Sequence, residues 1–185
     1  MTTYKYPYQK RVFPFGRNQQ MSNIGSDVVG EAARSSLSPV SWVKLEYDFA
    51  VDGAIPATSG KVPLRIAGTD EQFILPAGFQ ITTAFYRVAT TFTSAPTDAA
   101  AIGLGLYAVD GSGDDDAAGI VAAIAISNGA NPWDATAKVT ATIQTGTAGN
   151  ASEETTEDQY VSIINTAAEA TTAGKVFVYA EILEL

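Results

Sequence analysis

Apolar and polar residues alternate along much of the chain after residue 42. The odd positions from Val43 to Val51 are all apolar, while Lys44, Glu46 and Asp48 lie between them. Alternation with a period of two gives a strand one buried face and one wet face. Similar alternating or short apolar segments predict further strands at 62–66, 72–75, 79–88, 102–109, 139–143, 160–164 and 175–185.

Proline, glycine and alanine positions within these segments also indicate where a strand lies in its sheet or whether it forms at all. Pro63 cannot donate a ladder hydrogen bond, so its strand is expected at a sheet edge. Gly103 and Gly105 occupy one side of their strand, which predicts a close backbone approach by a neighbour. The alanine-rich stretch from Ala117 to Ile126 fits either a strand or a short helix.

Seven to nine short strands separated by turns are typical of an all-β sandwich or barrel. The regular alternation of strand and helix that marks an α/β fold is missing from the pattern. We therefore predict an all-β domain over residues 41–185.

Residues 1–40 follow a different pattern. Aromatic residues there are interspersed with Pro7, Pro14 and Gly16, a mixture that opposes a helix and favours an extended path. A short helix is expected at 26–34, followed by a linker rich in serine at 35–39. The sequence thus predicts an extended N-terminal arm and linker over 1–40.

Charge divides the chain in the same place. The 185 residues carry a net charge of -9, yet residues 1–26 hold four basic side chains and no acidic one. Of 11 basic and 20 acidic residues in all, 7 basic and 20 acidic ones remain beyond residue 26, which gives +4 before that point and -13 after it. An acidic domain repels nucleic acid, so binding to DNA or RNA is not expected.

The composition excludes several kinds of chemistry. The chain has neither histidine nor cysteine, so Ser-His-Asp and Cys-His catalytic sites, thiolate metal sites and disulfides cannot form. No apolar run approaches the roughly 20 residues of a membrane helix, and the N-terminus lacks the apolar core of a signal peptide. We expect a protein without a membrane span.

Two acidic segments and two tryptophans are the remaining candidates for chemistry. The loop Asp110–Asp116 offers oxygen ligands for Ca²⁺ but lacks EF-hand spacing, and the carboxylates at 153–158 resemble a glycosidase pair only in composition. Both segments are interpreted as solvated loops. Trp42 is expected to cap the core and Trp133 to anchor a turn, with sugar stacking as the alternative role. No catalytic residue, metal site or cofactor is predicted.

The arm is the predicted partner-binding site. Five exposed rings on a detached tail would be unusual for a soluble monomer, and tyrosine, phenylalanine and arginine are enriched at interfaces. Such a tail is expected to order on a partner or on a neighbouring copy rather than on its own domain. The predicted partner-binding residues are Tyr4, Lys5, Tyr6, Tyr8, Lys10, Arg11, Phe13, Phe15 and Arg17.

Several motifs resemble small virion proteins of tailed bacteriophages. These are the turn in Phe73–Gly78, the following Ile81–Thr83, the glycine-spaced Ile102–Leu106 and the closing strand Val176–Glu181. The resemblance covers about residues 62–185. It implies a jelly-roll-like sandwich that decorates or cements a capsid, often as a trimer, or that forms a fibre or tail component.

Together these features predict a non-enzymatic capsid decoration or cement protein on the virion surface. Its expected partners are the major capsid protein and copies of itself, as a homotrimer, with the arm holding the shell together. The alternative is a carbohydrate- or receptor-binding module of a tail or fibre. In that case Trp133, Tyr107 and the loop Asp110–Asp116 would form the site.

Overall fold

The computed structural model describes residues 40–111, 116–127, 132–134, 139–140 and 155–185. Residues 1–39, and with them nearly all of the predicted arm, its short helix and its linker, lie outside this range. The described residues form one helical turn and ten strands. The strands are β1 (Val40–Asp48), β2 (Gly60–Pro63), β3 (Arg65–Ile66), β4 (Ile74–Leu75), β5 (Phe79–Ser94), β6 (Ala101–Ala108), β7 (Asp116–Ala125), β8 (Val139–Thr140), β9 (Gln159–Asn165) and β10 (Thr171–Glu184).

The strands form two antiparallel sheets. The first sheet has the order β3-β1-β10-β5-β8, and the second has the order β2-β9-β6-β7 with β4 also paired to β9. In the first sheet β10 lies between β1 and β5 and pairs with both along most of its length. The predicted all-β sandwich is confirmed.

Side chains from both sheets fill a single core. Alternate residues of β1, Val43, Leu45 and Tyr47, are buried, and they lie beside buried Val176 and Val178 of β10. Each fully buried aliphatic or aromatic side chain contributes about 1.5–3 kcal/mol. The core from the second sheet is made by Ile102, Leu104, Leu106, Val161 and Ile163.

The chain crosses from one sheet to the other between β2 and β3. β2 pairs with β9 at the edge of the second sheet, as Pro63 predicted, while Arg65 pairs with Glu46 in the first sheet. Between them Leu64 is fully buried, and its amide donates to the Val161 carbonyl at 2.8 Å. This corner joins the two sheets at one side of the core.

The strand predicted to continue to Val51 ends at Asp48 instead. A four-residue helical turn, α1 (Phe49–Asp52), follows, because the Asp48 carboxylate accepts from the Ala50 amide and Asp52 accepts from the Asp48 amide. Such local side-chain hydrogen bonds compete with strand pairing. The prediction for residues 49–51 is therefore wrong, and Val51 is exposed.

The ambiguous segment 117–126 forms most of strand β7. Its pairing with β6 is irregular, with register shifts between Ile102 and Leu104 and between Leu104 and Leu106. These shifts bring the β7 backbone against the glycines of β6. A Cβ on Gly103 would lie 2.7 Å from the Val121 carbonyl oxygen, and the prediction of close backbone approach is confirmed.

We expect Gly103→Ala to destabilise the fold by about 1–3 kcal/mol, because the added methyl group overpacks this contact. Gly119→Ala is the matched control, since its Cβ would meet no atom closer than 3.4 Å. That control should change stability by no more than about 0.5 kcal/mol. Urea unfolding midpoints measure both, and equal midpoints would contradict the packing argument.

A carboxylate ties two loops together at one end of the sandwich. Glu169 accepts hydrogen bonds from the Thr97 hydroxyl at 2.6 Å, the Ala99 amide at 2.9 Å and the Ser94 hydroxyl at 2.9 Å. The Asn165 side-chain amide donates to the backbone carbonyl of Glu169 at 2.6 Å. The hydrogen bonds from Thr97, Ala99 and Ser94 lower the pKa of Glu169 to about 2.

This lowered pKa predicts a pH-dependent stability. The ionised Glu169 carboxylate is favoured in the folded protein, so its contribution is complete above its ordinary pKa of 4.5 and is lost as pH falls towards about 2. Glu169→Gln should remove that part of the acid sensitivity. Urea titrations between pH 6 and pH 2 measure the difference between wild type and variant.

Glu184→Gln controls for the loss of one negative charge, because Glu184 is exposed at the end of β10. The difference in free energy of unfolding between wild type and Glu169→Gln should shrink from pH 6 to pH 2. A constant difference over that range would refute the role assigned to Glu169.

Candidate assembly surface

The nine predicted partner-binding residues, Tyr4 to Arg17, lie outside the described residues, and their role stays a prediction. The arm joins the described body at Val40, the first residue of β1. The outward side chains of β1 near that junction, beginning with Trp42, belong to the outer face of the first sheet.

Trp42 begins this surface, and its predicted role as a cap on the core is wrong. It is 46% exposed, because it occupies the outward phase of β1 while Val43 beside it is buried. Its indole reaches across β10 to Phe85 of β5, with ring centroids 5.7 Å apart. Trp42 thus lies on the outside of the sandwich, in contact with a second outward aromatic side chain.

Aromatic side chains continue across the sheet from Phe85. Phe85 and Tyr179 are directly paired across β5 and β10, and their rings stack at 4.7 Å with an interplanar angle of 14°. Phe177 lies two residues from Tyr179 on the same side of β10. We call Trp42, Phe85, Tyr179 and Phe177 the aromatic ladder.

A lysine lies over one end of the aromatic ladder. Lys44 is paired with Tyr179 across β1 and β10, and its ammonium group is 4.2 Å from the Phe177 ring centroid and 5.8 Å from that of Tyr179. Both distances are within the range of a cation–π interaction. Phe85 and Tyr179 thus cover one face of each other, and Lys44 lies over a face of Phe177.

Ion pairs link the ladder strands β1 and β10 to each other and link β1 to β3 and α1. Lys175 binds Asp48 across β10 and β1 at 2.7 Å, and this hydrogen bond lowers the pKa of Asp48 and raises that of Lys175. The nearly buried Arg65 guanidinium binds Asp52 through two nitrogens and Glu46 at 3.3 Å. Hydrogen bonding to Asp52 raises the pKa of Arg65. These contacts fix β1, β3 and α1 relative to one another.

The sequence analysis did not identify the ladder, because the strand at 175–185 was predicted from Val176, Val178, Ala180 and Ile182, and its other phase was given no role. Phe177 and Tyr179 occupy that phase, between the inward Val176, Val178 and Ala180. In a two-sheet sandwich, one side of each sheet faces the core and the other faces outward. A strand with apolar side chains on both sides therefore indicates that its outward side is covered or binds a partner. That signal was present in the segment Val176–Ala180.

The alternative carbohydrate site does not retain its aromatic platform. Trp133 is fully buried, stacked on Tyr86 at 4.9 Å and edge-on to Phe92 at 5.6 Å. Tyr107 is 9% exposed, with the Lys61 ammonium group 3.9 Å from its ring centroid. Neither ring offers an open face to a sugar, so the structure does not bring these two residues together as a binding site.

The acidic segments are described only in part. Asp116 accepts a hydrogen bond from the Ala118 amide, and Asp158 accepts one from the Ala77 amide at 3.1 Å. Within the described ranges no group of acidic side chains is arranged to hold a metal ion, but residues 112–115 and 141–154 lie outside them. Among the described helices none is long and apolar enough to cross a membrane.

Comparison with known proteins identifies similar folds only among solved structures. No protein-family model and no curated protein matches the sequence. A chain in the capsid of Ralstonia phage GP4 is 12% identical, with a TM-score of 0.50 over 79% of this chain and 84% of that one. Chains from the cyanophage Pam1 capsid asymmetric unit (16% identity, TM-score 0.48, 79% and 85% covered) and from the acidic stable capsid of Helicobacter pylori bacteriophage KHP30 (10%, 0.45, 78% and 86%) are also similar.

At 12% identity and a TM-score of 0.50, the likeness to the Ralstonia phage GP4 chain shows a shared fold over 79% of this chain. The sandwich is thus a fold that also occurs in a chain of a phage capsid.

The opposite environments of the two tryptophans predict distinct fluorescence. The Trp133→Phe variant retains Trp42 as its single tryptophan. At low protein concentration, the emission of Trp42 should lie at longer wavelength than that of Trp133 and should be readily quenched by acrylamide. Trp42→Phe leaves only Trp133, which should emit at shorter wavelength and resist quenching because its indole is fully buried. Equal quenching constants in the two variants would contradict the placement of Trp42 on the outer face.

Proposed function

We propose that this protein is a non-enzymatic phage virion protein that decorates the capsid surface and cements the shell through its N-terminal arm. The observation that carries the proposal is the fold it shares with a chain in the Ralstonia phage GP4 capsid. The outward-facing aromatic ladder, in which Trp42 is 46% exposed, and the split between a cationic arm and an acidic body support an assembly role. The major capsid protein and further copies of the chain, as a homotrimer, are the proposed partners.

The arm supplies the binding energy in this proposal. Ordering a free segment costs about 1–2 kcal/mol per residue, so a tail without large apolar side chains would not dock. An aromatic side chain buries about 150–250 Å², and the arm carries five of them between Tyr4 and Phe15. Its four cations, Lys5 to Arg17, then pair with acidic groups and favour an acidic partner groove.

A carbohydrate- or receptor-binding module is the second candidate, and the geometry gives it less support. Stacking on a sugar needs an aromatic face that is open to solvent. Trp133 is buried, one face each of Phe85, Tyr179 and Phe177 lies against another ring or against Lys44, and the half-exposed Trp42 packs on Phe85. Protein side chains that pack against ring edges fit this surface better than the flat face of a sugar does.

Particles assembled with full-length variants test the proposed function. Replacing all five arm aromatics, Tyr4, Tyr6, Tyr8, Phe13 and Phe15, with serine should abolish occupancy on purified capsids, because the apolar contact is lost. Occupancy is measured by quantitative gel or mass spectrometry. Particles that lack the protein should also release their genome at a lower temperature.

The control replaces Val51 with serine, since Val51 is 61% exposed in α1 and is not a residue of the ladder. It should leave occupancy unchanged. Unchanged occupancy of the five-serine variant, with its body still folded by circular dichroism, would refute the proposed role of the arm.

A further inference from the structure

We propose that the aromatic ladder is the docking site for the arm segment Tyr4–Arg17 of a neighbouring copy of this chain. The inference rests on the proposed function and adds the receiving surface and its occupant. Each body would then offer the outer face of its first sheet to the arm of the next copy. The copies would be linked by exchanged arms as well as by their contacts with the shell.

The chemistry of the ladder matches that of the arm. Phe85 and Tyr179 stack with nearly parallel rings, and the half-exposed Trp42 packs against Phe85. Ring edges pack favourably against the faces of further aromatic side chains. The tyrosines of the arm provide such faces at every second residue, Tyr4, Tyr6 and Tyr8, a spacing that places all three on one side of an extended segment.

An acidic side chain borders the ladder at a position that suits a cation of the arm. Glu181 is directly opposite Trp42 across β10 and β1, and its carboxylate accepts from the Thr82 hydroxyl at 2.7 Å. An arm with Lys5, Lys10, Arg11 and Arg17 among its rings can place an ammonium or guanidinium group beside this carboxylate. Glu46, opposite Phe177, is nearly buried and already paired with Arg65.

The position and length of the connecting chain favour a second copy as the source of the arm. Residue 40 is only two residues from Trp42, so a segment returning to its own ladder would need no more than a short turn. Instead 22 residues, 18–39, separate Arg17 from β1. Fully extended, a chain of that length reaches at most about 75 Å.

That reach is sufficient to cross between bodies. A compact domain of this size has a radius of gyration of about 15 Å, and its diameter is therefore roughly 40 Å. Intramolecular docking is most effective when the linker span matches the distance to the site, and it weakens as the linker becomes longer than needed. A 22-residue linker is thus long enough to reach the surface of an adjacent copy, and it is longer than a site two residues away requires.

Electrostatics point the same way. The chain beyond residue 26 carries -13, so two bodies repel each other when they approach directly. An arm of +4 placed on a neighbouring body offsets part of that repulsion where the two copies meet. Arm exchange gives like-charged bodies an attractive contact.

Photo-crosslinking with isotope-labelled copies tests the proposal on the full-length protein. Tyr6→p-benzoylphenylalanine is mixed with wild-type chain labelled with ¹⁵N, which carries no probe. After irradiation, mass spectrometry should find the arm joined to labelled peptides that contain Trp42, Phe85 or Tyr179. Crosslinks only to unlabelled ladder peptides, at any dilution with labelled chain, would show the arm on its own body and would overturn the proposal.

Substitutions on each side of the contact provide a second test. Trp42→Gln should lower the yield of intermolecular crosslinks by roughly tenfold or more, as expected for an aromatic interface anchor. Val51→Ser should leave that yield unchanged. The arm variant Tyr4→Ser with Tyr8→Ser leaves the body untouched and should also lower the yield. An undiminished yield in it, or in folded Trp42→Gln, would overturn the inference.

Occupancy on particles separates this inference from the proposed function. If the arm crosslinks to the capsid protein but never to a labelled ladder, the cement role stands and arm exchange fails. If labelled ladder peptides are crosslinked but the protein never occupies particles, arm exchange stands and the capsid role fails.

Discussion

The pairing of β10 with β1 on one edge and β5 on the other is the interaction on which the rest of the structure depends. Through it the inward Val176 and Val178 complete the core. The same pairing sets Phe177 and Tyr179 on the outer face, where Tyr179 meets Phe85. Because side chains alternate along a strand, a slip of one residue would exchange the core set and the ladder set, so one register determines both the stability of the body and the character of its surface.

Alternation in the sequence was sufficient to predict the sandwich, because each buried face is recorded locally by every second residue. It failed where hydrogen bonds from side chains compete with pairing, as when Asp48 and Asp52 turn the chain into α1 instead of extending β1 to Val51. Alternation places Trp42 in the outward phase with Lys44 and Glu46, so its expected role as a cap on the core ran against the pattern. Trp133 stands between Pro132 and Asp134, where no alternation indicates a phase, and its burial depends on Tyr86 and Phe92, residues far away in the sequence.

The candidate surface was harder to predict than the fold for a related reason. The alternating pattern of β10 was identified from Val176, Val178 and Ala180, but Phe177 and Tyr179 between them could equally have been covered by a second layer. Only the sheet order, with β1 and β5 on either side, shows that Phe85 and Trp42 join them on one face. The charge split and the aromatic arm were visible in the sequence alone, whereas the surface that complements them is made by three separate strands.

An outer sheet face with four aromatic side chains is a solubility cost that a free monomer would not need to bear. The ladder reduces this cost internally, because its rings stack on one another and Lys44 lies over Phe177, but Trp42 remains half-exposed at the end nearest residue 40. Such a surface can stay soluble before assembly and still gain from being covered afterwards. The net negative charge of the body acts in the same direction, because it keeps free copies apart until a cationic segment is placed between them.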